Sequence, residues 1–186
     1  MIPILLDPAR LAIALIGDNE AAARRVCQLV GGGAETLVVY SKEPSEALTV
    51  AAGPRLRGDL PTPEAIGRFD IVYIVDQPAA LTRGYHAAAK QAGALVNVED
   101  DRRYCDFHSP AQVRRGDLVL TVSTGGKSPG LAARLRRHLE DAFGPEWAER
   151  LNDLDAKRQG WRADGLSLPE LATKTDAVIE REGWLS

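Results

Sequence analysis

Four short apolar runs constrain this chain most: Leu11–Ile16, Thr36–Tyr40, Ile71–Val75 and Leu95–Val98. Continuous aliphatic runs of this length suit strands buried on both faces. Between them, Glu20–Val30 carries Ala21, Ala22, Val26, Leu29 and Val30 at helical spacing, and Ala79–Ala92 reads as a second helix. Gly31-Gly32-Gly33 and Gly93 stop these helices. The triple glycine follows a helix and precedes a strand, the wrong way round for a phosphate loop, so it reads as a linker. Residues 41–63 are rich in Pro, Gly and charge and read as loop, with one short strand near Arg55–Leu60. The alternation predicts an α/β fold: a Rossmann-like parallel sheet covered by helices on both faces. Such sheets bind ligands beyond the carboxyl ends of their strands. The stretches Gly17–Glu20, Tyr40–Lys42, Asp76–Pro78 and Asn97–Asp101 occupy those ends.

The second half changes pattern. Ala111–Arg114 and Leu118–Ser123, separated by Arg115-Gly116-Asp117, predict a β-hairpin. The turn Thr124-Gly125-Gly126-Lys127-Ser128-Pro129 leads into a helix over Leu131–Ala142, with Ser128 as N-cap and Pro129 in its first position. Trp147–Arg162 and Pro169–Arg181 read as further helices, broken at Gly165.

At 186 residues, with 45% hydrophobic and 26% charged side chains, the chain buries a core without staples. Cys27 and Cys105 offer neither a disulfide framework nor a CxxC metal motif. No apolar run nears the roughly 18–20 residues of a membrane span. No basic segment and apolar core open the chain, so the expectation is a cytoplasmic protein with no membrane partner. Charge is unevenly spread. Residues 102–137 hold eight basic and two acidic side chains, while the segments on either side are net acidic. A basic belt points to an anionic partner: a nucleic acid, a polycarboxylate or a phosphate. A merely solvated basic face is the bland alternative. Within the belt only Tyr104 and Phe107 are aromatic, too few for a stacking platform, which argues against nucleic acid.

Three motifs carry chemistry. Gly17-Asp18-Asn19-Glu20-Ala21-Ala22 follows the first strand, where a dinucleotide fingerprint has G-x-G-x-x-G/A. Gly17 and Ala22 fit, and Asn19 stands where the second glycine lets backbone approach a pyrophosphate. Asp18 and Glu20 add negative charge there. Ser41-Lys42, not an acid, ends the second strand. Gly126-Lys127-Ser128 resembles the end of a P-loop, but Thr121 stands where its first glycine belongs; an anion cradle and a simple capped turn both fit. Asp100, beyond a buried strand, is a candidate general base or a loop cap. His86, His108 and His138 lack metal-ligand spacing, and His108 alone lies near Asp100 in sequence.

The runs Asn97-Val98-Glu99-Asp100, Cys105–Ala111, Arg115-Gly116-Asp117-Leu118 and Ser123–Arg136 resemble the precorrin-2 dehydrogenase family, the dehydrogenase/ferrochelatase module of siroheme synthase. The resemblance is specific from about Asn97 to Glu140; the first half matches in element order and the tail only as helix. It implies a Rossmann domain at 1–110, a dimerisation and tetrapyrrole-binding region at 111–144 and a helical tail at 145–186. It further implies a homodimer that oxidises precorrin-2 to sirohydrochlorin with NAD+ and in many members inserts Fe2+. By position, the family's catalytic aspartate falls on Asp100. Tetrapyrrole contacts fall on Asn97, His108, Ser123, Thr124, Gly125, Gly126, Lys127 and Ser128. Contacts to NAD fall on the Gly17-Asp18-Asn19-Glu20-Ala21 turn, on Ser41 and Lys42, and on Asp76. The family usually has three glycines where this chain has Gly17-Asp18-Asn19, and Thr-Asp where it has Asp76-Gln77. That departure keeps open an NAD-independent chelatase or tetrapyrrole-binding protein.

Overall fold

A computed structural model describes residues 2–185. The chain forms two compact units, one ending at His108 and the other beginning at Ser109. The first holds five parallel strands: β1 (Ala12–Ile16), β2 (Thr36–Tyr40), β3 (Leu56–Arg57), β4 (Ile71–Ile74) and β5 (Leu95–Val98). Their spatial order is β3-β2-β1-β4-β5, the doubly wound order whose direction reverses between β1 and β4. Ile13 stands opposite Leu37 of β2 and Ile71 of β4, so the three central strands are in register.

Alternate residues of these strands feed two cores. Ile13, Leu15, Val39 and Tyr73 pack with Ala22 and Val26 of α1 (Glu20–Gly31) and Leu48 of α2 (Glu46–Ala52). Ala14, Ile16, Val72, Ile74 and Val96 pack with Ile66 of α3 (Pro63–Ile66) and with Tyr85 and Ala89 of α4 (Ala79–Gln91). Both faces are covered, which is why the strands are aliphatic throughout rather than alternating.

The stretch read as loop at 41–63 contains α2 and begins α3. Ser45 caps α2, its hydroxyl accepting from the Leu48 amide at 3.2 Å, and Thr62 caps α3 in the same way through Ala65. The strand near 55–60 is two residues long, an edge strand paired with β2.

The second unit is an antiparallel hairpin with three helices. β6 (Ala111–Arg115) pairs with β7 (Leu118–Val122) across Gly116-Asp117, where Gly116 has φ +58°. α5 (Pro129–Ala142) packs on both strands, and α6 (Trp147–Ala163) packs on β7 and on α7 (Leu168–Glu182). The Arg115 guanidinium donates to the carbonyls of Phe143 and Glu140 at 2.8 and 3.3 Å, tying the hairpin to the end of α5. Trp147 contacts Phe143 and Trp184 at ring-centroid distances of 5.0 and 6.2 Å, and Arg150 lies over both indoles. Among the described residues no helix is long and apolar enough to cross a membrane.

Gly17 is the tightest point of the first unit. A Cβ there would lie 2.9 Å from the Ala22 Cβ, 3.0 Å from the Val75 Cβ and 3.1 Å from the Val75 carbonyl oxygen. None of these is the end of a flexible side chain. Gly17→Ala is expected to lower stability by about 1–3 kcal/mol, read by urea denaturation followed by far-UV circular dichroism.

Candidate functional site

The carboxyl ends of β1, β2, β4 and β5 bring together the loops that begin at Gly17, Ser41, Val75 and Glu99. Gly17 donates its amide to the Tyr40 carbonyl at 3.1 Å, which binds the exit of β1 to that of β2. Gly17 and Ala22 therefore meet the packing demands of the first and last positions of a dinucleotide fingerprint.

Asn19 is the N-cap of α1, with extended backbone. Its carboxamide oxygen accepts from the amides of Ala21 and Ala22 at 3.0 and 3.2 Å, and its nitrogen donates to Asp76 Oδ2 at 2.7 Å. Asp18 accepts from the Ser41 hydroxyl at 2.5 Å, from the Lys42 amide at 3.1 Å and from the Gln77 carboxamide at 2.9 Å. Ser41 is fully buried beneath this network. Of the residues expected to contact the cofactor, Asn19, Ala21 and Asp76 thus share one hydrogen-bonded network and Asp18, Ser41 and Lys42 a second, the two adjoining through the chain at residues 18–19. Glu20 opens α1 beside it with an exposed side chain.

The cluster fits a dinucleotide in its scaffold and departs from it at residue 19. The backbone turn and the helix start are those such a cofactor needs, and the amides that would meet a diphosphate are capped by Asn19.

Two carboxylates at these ends have left-handed backbones: Asp76 with φ +48° and Asp100 with φ +63°. For a residue with a Cβ this conformation costs on the order of 1 kcal/mol and persists where the surroundings fix it. Around Asp100 they do. Glu99 donates its amide to the Ile74 carbonyl at 2.9 Å and Asp101 to the Val98 carbonyl at 3.3 Å. The Cys105 thiol accepts from the Val98 amide at 3.3 Å and donates to the Val98 carbonyl at 3.1 Å. Burial pushes that thiol's pKa up, so Cys105 acts here as a neutral hydrogen-bonding group. Asp101 is engaged by Arg103 at 2.9 and 2.7 Å. Asp100 itself is exposed, as is His108.

Asn97, expected among the tetrapyrrole contacts, is only 7% exposed, and its nitrogen donates inward to the Phe107 carbonyl at 2.8 Å. In this position it anchors the 105–107 loop against β5. Asp106 completes that anchor, accepting from Lys90 at 2.8 Å and from the Val96 amide at 2.9 Å.

Sequence reasoning missed Gln77 and Glu99. A cleft of about 220 Å3 at the ends of β4 and β5 is lined by Asp76, Gln77, Thr82, Val98, Glu99 and Tyr104, among others. The Glu99 Oε2 atom is buried and has no hydrogen-bond partner. Its only sequence signal was its place beside Asp100.

In the second unit Gly125 and Gly126 have φ +62° and +75°, a tight turn between β7 and α5. Thr124 donates its hydroxyl to the Ser128 carbonyl at 3.1 Å and accepts the Ser128 amide at 3.2 Å, while Ser123 accepts from Gly125 at 3.3 Å. The Ser128 hydroxyl caps α5 through the Leu131 amide at 3.2 Å, as its spacing predicted. Lys127 is exposed at the turn. Part of the basic belt is used internally: Arg103 by Asp101, Arg115 by the α5 carbonyls and Arg136 by Glu140. Arg114, Lys127, Arg134 and Arg137 are exposed and have no carboxylate partner among the described residues.

A family model described as "Putative NAD(P)-binding" matches residues 4–111, and one described as "Sirohaem biosynthesis protein central" matches residues 115–142. The chain is 31% identical over 176 residues to "Siroheme synthase 1" of Pectobacterium atrosepticum, covering 86% of this chain and 37% of that protein. It is 33% identical over 164 residues to "Siroheme synthase 1" of Yersinia enterocolitica, covering 87% and 34%. The chain thus spans about a third of the length of these relatives. The solved structure titled "SirC, precorrin-2 dehydrogenase" shares the fold, with a TM-score of 0.79 at 20% identity over 100% of this chain and 93% of that one.

Burial favours the neutral form of Asp18, but hydrogen bonds from Ser41, Gln77 and the Glu43 and Lys42 amides outweigh it and hold the carboxyl below its ordinary range. A lowered folded-state pKa stabilises the fold above the unfolded value of about 3.9 and loses that contribution as pH falls through the lower folded value. Urea unfolding at pH 7 and pH 3 is expected to show a smaller acid loss of stability in Asp18→Asn than in the parent protein.

Proposed function

This chain belongs to the putative NAD(P)-binding family, whose model matches residues 4–111 ahead of a match to the central region of sirohaem biosynthesis proteins over residues 115–142, and from that premise we propose that it is a precorrin-2 dehydrogenase, oxidising precorrin-2 to sirohydrochlorin with NAD+. The observation that carries this reading is Asp100, an exposed carboxylate on a left-handed turn at the carboxyl edge of the sheet, just beyond the Val98 backbone that Cys105 holds.

Oxidation of the macrocycle removes a hydride and a proton. NAD+, when bound, supplies the hydride acceptor. Asp100 takes the proton, and its exposure lets it pass that proton to solvent. Its backbone is fixed on both sides, through the bonds of Glu99 to Ile74 and of Asp101 to Val98, so the carboxylate needs little reorganisation to act. Fe2+ is a second substrate in this reading: as the metal enters sirohydrochlorin, the same carboxylate accepts pyrrole protons.

The macrocycle's carboxylates are the anionic partner of the belt, met by Lys127 of the 123–128 turn and by Arg114, Arg134 and Arg137. His108 and Ser123 to Ser128 are assigned as tetrapyrrole contacts on the resemblance, and Asn97 as a support for the loop that follows Asp100. The cofactor contacts are Gly17 to Ala21, Ser41, Lys42 and Asp76. The region 111–144 is assigned to homodimer formation. Leu131 and Leu135, 50% and 41% exposed on α5, and a hairpin with no third strand among the described residues support that assignment. The reaction is placed in the cytoplasm.

Asp100→Ala is expected to lower kcat by about 100-fold or more, with the circular dichroism spectrum and urea midpoint unchanged. The check is an anaerobic assay following sirohydrochlorin absorbance. Turnover within a few-fold of the parent protein removes Asp100 from the mechanism.

A further inference from the structure

The crevice between β1 and β4, where strand order reverses, is bridged by the chain's own side chains. Asn19 crosses it to Asp76 at 2.7 Å and Asp18 crosses it to Gln77 at 2.9 Å. The Asn19 oxygen at the same time holds the first amides of α1, those of Ala21 and Ala22. Such amides are the donors a helix N-terminus offers to a phosphate oxygen. A neutral carboxamide satisfies them here, as a cap does in any helix. Asp18, Glu20 and Asp76 surround the turn with negative charge, and Asp76 keeps its place in a strained backbone. The scaffold beneath still has the shape of a dinucleotide loop, since Gly17 admits no Cβ and Ala22 packs against it.

We infer that the Asn19–Asp76 clasp is an intramolecular stand-in for the dinucleotide diphosphate: NAD(P)+ takes the α1 amides only after Asn19 turns away from them, so residue 19 sets the affinity of the site. This rests on the reading of the chain as NAD-dependent and names the residue that controls cofactor entry. It accounts for a chain that keeps the two packing positions of the fingerprint while replacing the middle one. Closure by the clasp keeps the helix start satisfied without ligand, and cofactor binding carries the cost of opening it.

Isothermal titration of NAD+ into the full chain tests this with Asn19→Gly and Asn19→Asp. Glycine at an N-cap costs the helix little relative to Asn, so the first variant opens the amides without unfolding α1. The second retains an acceptor for the amides but sets a second carboxylate against Asp76. Asn19→Gly is expected to lower the Kd about tenfold, and Asn19→Asp to raise it by at least as much. A Kd for Asn19→Gly equal to or above that of the parent protein overturns the inference, as does the absence of binding heat in both. Anaerobic turnover of precorrin-2 by the parent protein judges the underlying reading separately. Turnover without tightening in Asn19→Gly removes the clasp and keeps the dehydrogenase. Tightening without parental turnover keeps residue 19 as the control on dinucleotide affinity and removes precorrin-2 oxidation as the reaction.

Discussion

The contact of Gly17 with Ala22 and Val75 is the constraint on which the first unit turns. It brings the start of α1 against the exits of β1 and β4 at the point where the sheet changes direction. Because no side chain intervenes, the next two residues are carried directly over the crevice. Asp18 is then within reach of the β2 exit and Asn19 within reach of the β4 exit. Relaxing that one contact would move the helix start, the Ser41 hydroxyl's partner and the Asp76 clasp together. The hydrogen-bonded cluster is thus a consequence of packing beneath it.

The two strained carboxylates stand on different supports. The Asp76 carboxylate is clasped by a side chain from another loop, beside the main-chain bond of Val75 to Ile16 at 2.8 Å, whereas around Asp100 the bonds are main-chain ones on Glu99 and Asp101, with the Cys105 thiol on Val98. The first arrangement opens when one side chain rotates, and the second resists opening because several bonds must break together. In the proposed reading, Asp100 as a base for a macrocycle benefits from the second kind of support. A cofactor loop that must admit and release its ligand benefits from the first.

The sheet was legible because burial on both faces writes itself as uninterrupted aliphatic runs, as in Ala12–Ile16 and Ile71–Ile74. The α5 cap was legible because Ser128 and Pro129 act locally. α2 was not, since seven residues with two buried positions give too little periodicity to read, although Ser45 before Glu46 is a capping signal. The clasp was out of reach for a different reason. Asn19 and Asp76 are 57 positions apart, and their pairing depends on strand order. The inward turn of Asn97 and the unpartnered oxygen of Glu99 depend likewise on loops packed from elsewhere. The role proposed for Asp100 came from its place beyond a buried strand and from resemblance, and neither indicated its left-handed backbone.

All three tryptophans, Trp147, Trp161 and Trp184, lie in the second unit. Two of them share the Arg150 guanidinium and a contact with each other. Indole emission therefore originates in the hairpin–helix unit, while tyrosines such as Tyr73 and Tyr85 lie in the core of the sheet. The chain carries its own two-colour optical label. Tryptophan emission comes from indoles of the second unit and tyrosine absorbance from rings of the first, so the two units are followed at separate wavelengths in one sample.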